Sequence, residues 1–323
     1  MPKADGCDQE GTAFSRAETR SVDATRGRSP RFRPLCYPRR VKESSIAIIG
    51  PGRLGSALAK HLHCAGYRIP EIISRDRQSL SRARALARSI RAVATTFRNA
   101  NLDADIVWLC VPDSQIELVA NALAARSWKG KVALHSSGVL TSDALASLRK
   151  SGARLASAHP LMTFVRGSVP DLSGVPFAIE GDALAVRAAR RIVQHLAGRP
   201  VTIRKADKPA YHLFATMICP LLISLLAASE RAAKLAAMSP DDARRRMLPI
   251  IRQTIVNYEE LGAAASFTGP FVRGDVETVR LHLKELSRSP ALKAVYASLA
   301  EAALRNLPHR NVRQIRAAIS LTM

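Results

Sequence analysis

Residues 46–62, IAIIGPGRLGSALAKHL, decide the fold. Four apolar residues, Ile46 to Ile49, run into Gly50-Pro51-Gly52-Arg53-Leu54-Gly55. Helical spacing follows, with Leu54, Leu58 and Leu62 on one face. A G-x-G-x-x-G set between a strand and a helix is the turn that holds a dinucleotide. Gly50 permits the tight turn, Gly52 lets the backbone approach a pyrophosphate, and Gly55 lets the helix pack closely. The helix N-terminus offers free N–H groups and a partial positive charge to a phosphate. Arg53 and Leu54, at that terminus, join the three glycines as cofactor-binding candidates.

The surrounding sequence supplies the context such a turn needs. IPEIISR reads as a second strand, residues 79–92 as a helix, and ADIVWLCVP as a fully apolar third strand suited to a central parallel position. Residues 115–126 are helical, KVALHSS is another strand, and RLASAHP and VPFAIEG are further strands joined by the irregular MTFVRGSVPDLSG. Strands alternating with helices predict α/β architecture, a Rossmann-type mostly parallel sheet. From residue 183 the pattern is helical, and no strand pattern follows residue 204. The expected organisation is a disordered basic tail over 1–43, a dinucleotide-binding domain over 44–204, and a C-terminal all-α domain over 205–323 for substrate and dimerisation.

The end of the second strand selects the cofactor. A carboxylate about 20 residues past the glycines holds the ribose 2′-OH of NAD. Here Ser74-Arg75 arrives first, a hydroxyl and a guanidinium suited to a 2′-phosphate. Asp76 sits one or two places late. The expected cofactor is therefore NADP rather than NAD. Val111-Pro112-Asp113 ends the third strand at the edge where parallel sheets bind ligands.

Composition excludes several classes. The chain has 323 residues and a net charge of +23, from 38 Arg, 11 Lys and 26 acidic residues spread along its length. No zinc-finger, RNP-like or helix-turn-helix pattern accompanies that charge, and aromatics are only 5%, so nucleic acid is not the expected partner. The five cysteines show no C-x-x-C spacing, and Cys64, Cys110 and Cys219 sit in apolar stretches. They are expected to be buried thiols in a reducing, cytoplasmic compartment, with no metal site. The first 43 residues lack an apolar leader and carry six acidic residues, which argues against a targeting peptide. The longest apolar run, Leu213 to Ala228, contains Pro220 and is sixteen residues long. A membrane span needs about eighteen, so a buried core helix is expected and no membrane.

Four further motifs fall in order along the chain: His135-Ser136-Ser137-Gly138, His159-Pro160-Leu161-Met162, Tyr211-His212, and Thr268-Gly269-Pro270-Phe271-Val272-Arg273-Gly274-Asp275. With the glycine turn, they resemble the Rossmann-like oxidoreductases that carry a C-terminal helical domain of unknown function (DUF2520-type). Those are distant relatives of prephenate dehydrogenase, pyrroline-5-carboxylate reductase and 6-phosphogluconate dehydrogenase. The resemblance spans residues 45–323. It implies NADP binding, two domains and a homodimer built mainly through helices, and it implies no substrate. Relatives often carry Ser-Asn about eight residues after the Tyr-His pair, where this chain has Cys219-Pro220. Any role of that Asn is missing or replaced here.

Hydride transfer to C=O or C=N needs a proton donor and groups that orient the substrate. Lys208 and His212 are one helical turn apart, so both are donor candidates, as are His135, Ser136 and Ser137 beside the expected nicotinamide position. His159, before Pro160, is pinned in an extended conformation. Asp275 fits as a helix N-cap, while Arg273 is free to take a substrate carboxylate or phosphate. The expected activity is an NADP-dependent oxidoreductase acting on a small, anionic carbonyl or imine metabolite. The competing reading is a non-catalytic NADP-binding sensor or partner protein.

Overall fold

The computed structural model describes residues 44–320, and the expected tail over 1–43 lies outside the described residues. The chain opens with β1 (Ile46–Ile49), α1 (Arg53–Cys64), β2 (Glu71–Ser74), α2 (Leu80–Ser89) and β3 (Val93–Thr96). It continues with β4 (Ile106–Leu109), α3 (Asp113–Leu123), β5 (Val132–His135), α4 (Ala146–Lys150), β6 (Arg154–Pro160), β7 (Pro176–Gly181), α5 (Ala183–His195) and β8 (Arg199–Thr202). These eight strands form one sheet in the order β3-β2-β1-β4-β5-β6-β7-β8. All neighbours are parallel except β6 and β7.

The central strands are continuous apolar runs because both faces are covered. Ile46, Ile48 and Trp108 bury against α1, α2 and α5 on one side; Ala47, Val107 and Leu109 bury against α3 and α4 on the other. Strand order reverses between β1 and β4, which opens a crevice at their carboxyl ends. The glycine turn after β1 and Val111-Pro112 after β4 both lie at that crevice.

Two strands escaped the sequence reading, β3 and β8. Both are sheet edges and neither is buried, so neither needs the apolar run that marks a central strand.

The helical region comprises α6 (Lys208–Ile218), α7 (Pro220–Ala233), α8 (Pro240–Ser266), α9 (Pro270–Arg273), α10 (Val276–Leu286), α11 (Pro290–Asn306) and α12 (Val312–Ser320). Capping fixes where these helices start. Ser239 Oγ accepts the Asp242 N–H at 3.2 Å ahead of α8, and Asp275 Oδ1 accepts the Thr278 N–H at 3.2 Å ahead of α10. Their core joins Val279 and Leu283 of α10 with Ala297, Ala300 and Leu304 of α11 and Ile315 of α12.

The apolar run Leu213 to Ala228 is not the buried core helix expected of it. The helix breaks at Cys219-Pro220, and Leu213, Phe214, Met217, Leu221 and Ile223 are exposed. The Lys205–Ala236 stretch is long and apolar enough to cross a membrane by length and composition, and the most apolar part of it has no buried residue. Its physical reason is that the helical core forms on α10–α12 and leaves α6 and α7 uncovered within the chain. Cys64, Cys110 and Cys219 are half-buried rather than buried.

Candidate active site

The crevice is a cleft of about 460 Å³ lined by the glycine turn, Ser74 and Arg75 of β2 and its following turn, and Val111 and Pro112. Each glycine has a distinct reason to be there. Gly50 has φ +96°, and an added Cβ would meet the Cys110 carbonyl oxygen at 2.6 Å. A Cβ on Gly55 would collide with the Gly50 carbonyl oxygen, because α1 packs directly on the turn. A Cβ on Gly52 would meet nothing within 4 Å. No protein atom requires glycine at 52; the space that a side chain would fill is the cleft itself. The residues present thus fit a dinucleotide, with the pyrophosphate at the N-terminus of α1.

Arg53 is exposed at that terminus, whereas Leu54 packs into the sheet core and offers only its main-chain N–H. Arg75 lines the cleft with a side chain that is 82% exposed and bonded to Asp76 at 2.9 Å. Ser74 needs correction as a phosphate ligand. It is buried, and its hydroxyl lies 3.2 Å from the Thr95 carbonyl and 3.3 Å from that of Asp76, so its O–H is used within the fold. Asp113 does not line the cleft; its carboxylate accepts the Ser137 hydroxyl at 2.8 Å.

The sequence reading missed the far wall. Gln115, Leu118, Val119 and Ala122 line the cleft from α3, and Ser79, Arg82 and Phe97 line it from the other side. The α3 set has the i, i+3, i+4, i+7 spacing of one helical face, so the signal was present in the sequence.

A second cleft, of about 530 Å³, opens between the end of β6 and α6–α7. His159, His212, Met162, Phe164, Thr216, Cys219 and Pro220 line it. The His159 and His212 rings meet edge to face, 5.9 Å between centroids. Gly138 lies against both: an added Cβ would sit 3.0 Å from His159 Nε2 and closer still to His212 Cδ2. The break at Cys219-Pro220 is part of the wall.

Behind that cleft lies a buried polar network. Lys208 is 1% exposed; its Nζ donates to Ser157 Oγ at 2.7 Å and to the Ser137 carbonyl at 3.0 Å. Burial lowers its pKa to about 8, with Glu180 and Asp113 pulling it back up. His159 is pushed down to about 4 by burial, with the Lys208 and His212 charges adding to it, and is neutral near pH 7. Its Nδ1 and the Tyr211 hydroxyl are buried without a hydrogen-bond partner.

Three of the expected catalytic side chains have other duties. His135 is fully buried; Nε2 donates to the Thr141 carbonyl at 3.0 Å and Nδ1 accepts the Ser137 N–H at 3.1 Å. Both nitrogens are used, and burial holds its pKa at about 4, so it is a neutral structural histidine. Ser137 is also structural: its hydroxyl donates to Asp113 and accepts the N–H groups of Val139 at 3.3 Å and Leu140 at 2.9 Å. Arg273 lines neither cleft; it sits at the end of α9 with its guanidinium 3.9 Å from Asp275. Ser136 remains open. Its hydroxyl accepts the Trp108 indole N–H at 2.8 Å and keeps its own proton to donate. Among the described residues, no cluster of three or more His, Cys, Asp or Glu could hold a metal ion.

Known proteins resemble the chain in the same two parts. Residues 45–135 match a family of NADP oxidoreductases described as coenzyme F420-dependent, and residues 175–303 match the domain of unknown function DUF2520. The crystal structure of a candidate NADP oxidoreductase from Bacteroides fragilis superposes with a TM-score of 0.68 at 25% identity, over 80% of this chain and 97% of that one. In this pairing of parts the chain is similar to the Rossmann-fold NADP(H) oxidoreductases that carry a C-terminal DUF2520-like domain. Two more distant structures share the fold of this oxidoreductase. The reductive aminase of Aspergillus terreus, solved with NADPH and ethyl-5-oxohexanoate, has a TM-score of 0.60 at 16% identity, over 85% of this chain and 99% of that one. A pyrroline-5-carboxylate reductase from Coxiella burnetii has 0.52 at 17%, over 86% and 97%. No curated protein matches the sequence.

Proposed function

We propose that this oxidoreductase binds NADPH in the cleft at the β1–β4 crevice and reduces a small carbonyl or imine compound held in the second cleft. The observation that carries the reading is the placement of His212 and His159 on the wall of that second cleft, against Gly138, with the Lys208 cation sealed behind them. The glycine turn and the first turn of α1 hold the pyrophosphate, and Arg75 takes the 2′-phosphate. Bound NADPH supplies the hydride. The protein must then hand a proton to the oxygen or nitrogen that gains the electron pair. His212 is exposed to the cleft and is the donor. His159 stays neutral and orients the substrate, whereas Ser136, the residue after β5, keeps a spare proton but lines neither cleft. Lys208 is a positioning residue, since it touches Ser157 and the Ser137 carbonyl and does not line the cleft.

The anionic substrate expected from the sequence rested on Arg273, which stands away from both clefts. The walls of the second cleft are mainly apolar, which suits a substrate whose flank is hydrocarbon. The exposed α6–α7 face supports the homodimer, because a second copy is what would cover apolar side chains that the chain itself leaves bare.

The test is a His212→Gln variant, with NADPH affinity measured by fluorescence and turnover by NADPH oxidation across a panel of ketones, aldehydes and cyclic imines. Unchanged affinity with turnover reduced about a hundredfold is expected. Full turnover in the variant removes His212 from the chemistry. Tight NADPH binding with no turnover by the wild-type protein across the panel would instead favour a non-catalytic sensor.

A further inference from the structure

Asp76 is close to the position at which a carboxylate selects NAD. In this fold its carboxylate is turned away from the cofactor cleft. Oδ1 accepts the Ser79 main-chain N–H at 2.9 Å and lies 2.9 Å from the Ser79 hydroxyl. Oδ2 accepts the Arg75 Nε–H at 2.9 Å. The Ser79 N–H, with Arg75 and the Ser79 hydroxyl, holds the Asp76 pKa down to about 2, so the group is a carboxylate at any working pH. Asp76 does not line the cleft, whereas Arg75, Ser79 and Arg82 do. The bond from Arg75 uses Nε, which leaves both terminal nitrogens of that guanidinium for another anion.

We propose that Ser79 sets the choice between the two nicotinamide cofactors: it holds the Asp76 carboxylate away from the ribose and so leaves Arg75 and Arg82 to clamp the 2′-phosphate. The inference rests on the reading of this cleft as the NADPH site. The geometry explains why a carboxylate beside the ribose position does not select NAD. The same carboxylate, released, would lie within reach of the phosphate and oppose it. It would also cease to orient Arg75. Arg82 lines the cleft from the first turn of α2, so the phosphate would be met from that helix as well as from the turn that carries Arg75.

The test uses fragments that lack the nicotinamide, so no reaction is involved. Affinities for 2′,5′-ADP and 5′-ADP are measured by calorimetry on the full chain at fixed salt. The wild-type protein is expected to prefer 2′,5′-ADP. Ser79→Ala removes the hydroxyl contact and leaves the main-chain N–H bond, so it is expected to cut that preference by up to about tenfold, the scale of one charge-assisted hydrogen bond, with 5′-ADP held or tightened. Ser79→Thr is expected to keep it, and Asp76→Ala added to Ser79→Ala to restore it. Arg82→Ala is expected to weaken 2′,5′-ADP alone. A wild-type protein with no preference overturns the NADPH reading itself. A preference that Ser79→Ala leaves at the wild-type value overturns the inference and leaves the reading standing. Should Ser79→Ala fail to fold, Asp76→Asn decides: a preference within about twofold of wild type supports the inference, and a tenfold gain shows that the carboxylate already faces the phosphate and overturns it.

Discussion

Gly138→Ala tests the histidine pair without touching either histidine. Gly138 has no left-handed backbone angle, so alanine is acceptable to the main chain. The obstacle is steric. The added Cβ would meet His159 Nε2 at 3.0 Å and His212 Cδ2 at less than that, whereas ordinary contact begins at 3.4 Å. The His212 ring must retreat by about 1 Å, and His159 by a few tenths of an ångström. His212 lies on α6 beside the open second cleft, so its ring has somewhere to go. The stability cost should stay near the 1 kcal/mol typical of point substitutions. Turnover should respond more, because a displacement of about 1 Å in a reacting group can cost a hundredfold. NADPH binding should not change, since Gly138 does not line the cofactor cleft. The assay pairs a thermal melt and a fluorescence titration with steady-state rates on the carbonyl and imine panel. A variant that turns over normally, while its crystal structure shows His212 displaced by an ångström, would refute the role given to His212.

Three other outcomes follow from the same geometry. Turnover should fall as pH rises through about 8, where Lys208 loses its proton, and a Lys208→Met variant should lose that limb and melt lower, because its bonds to Ser157 and the Ser137 carbonyl go with the amine. The folded protein holds His135 at about 4 against 6.5 when unfolded, so the unfolded chain binds the extra proton first. Stability should therefore be constant above about pH 6.5 and fall as pH drops toward 4, by up to about 3 kcal/mol, and acid melts of His135→Asn should show a weaker slope. Charged substitutions at Phe214 and Ile223, both exposed, should convert a dimer to a monomer in light scattering; a monomeric wild-type protein would remove the dimer.

The parts legible in the sequence are those that backbone geometry dictates. IAIIG followed by a glycine turn admits one arrangement, and the structure places β1, α1 and the β4 turn around one cleft. The end of β2 was legible for residue type but not for direction. Ser74 and Asp76 are polar residues at a binding edge, yet Ser74 Oγ turns to main-chain carbonyls and Asp76 to Ser79. Such local bonds between near neighbours compete with ligand binding, and spacing alone does not show which wins. The apolar run of α6–α7 misled for a related reason. Hydropathy reports that a face avoids water, and it does not say whether the cover comes from the same chain.

His135-Ser136-Ser137-Gly138 shows how one motif divides its labour. The strand β5 ends at His135, and its side chain turns inward to fix the loop through Thr141 and Ser137. Ser137 also turns inward, and its hydroxyl ties the N-terminus of α3 to the loop through Asp113 while capping Val139 and Leu140. Its carbonyl receives Lys208, which pins the first turn of α6 to the sheet. The alternate members face the other way: Ser136 carries a spare proton, and Gly138 makes room for two imidazole rings. Strand-like alternation at the end of β5 thus separates support from chemistry. The polar residues most buried in the motif fix the loop after β5, the Ser137 carbonyl joins that loop to α6 through Lys208, and the smallest residue decides where the histidines stand. Removing support should unfold or loosen the joint between sheet and helices, whereas filling Gly138 should leave the joint intact and move only the groups that face the substrate.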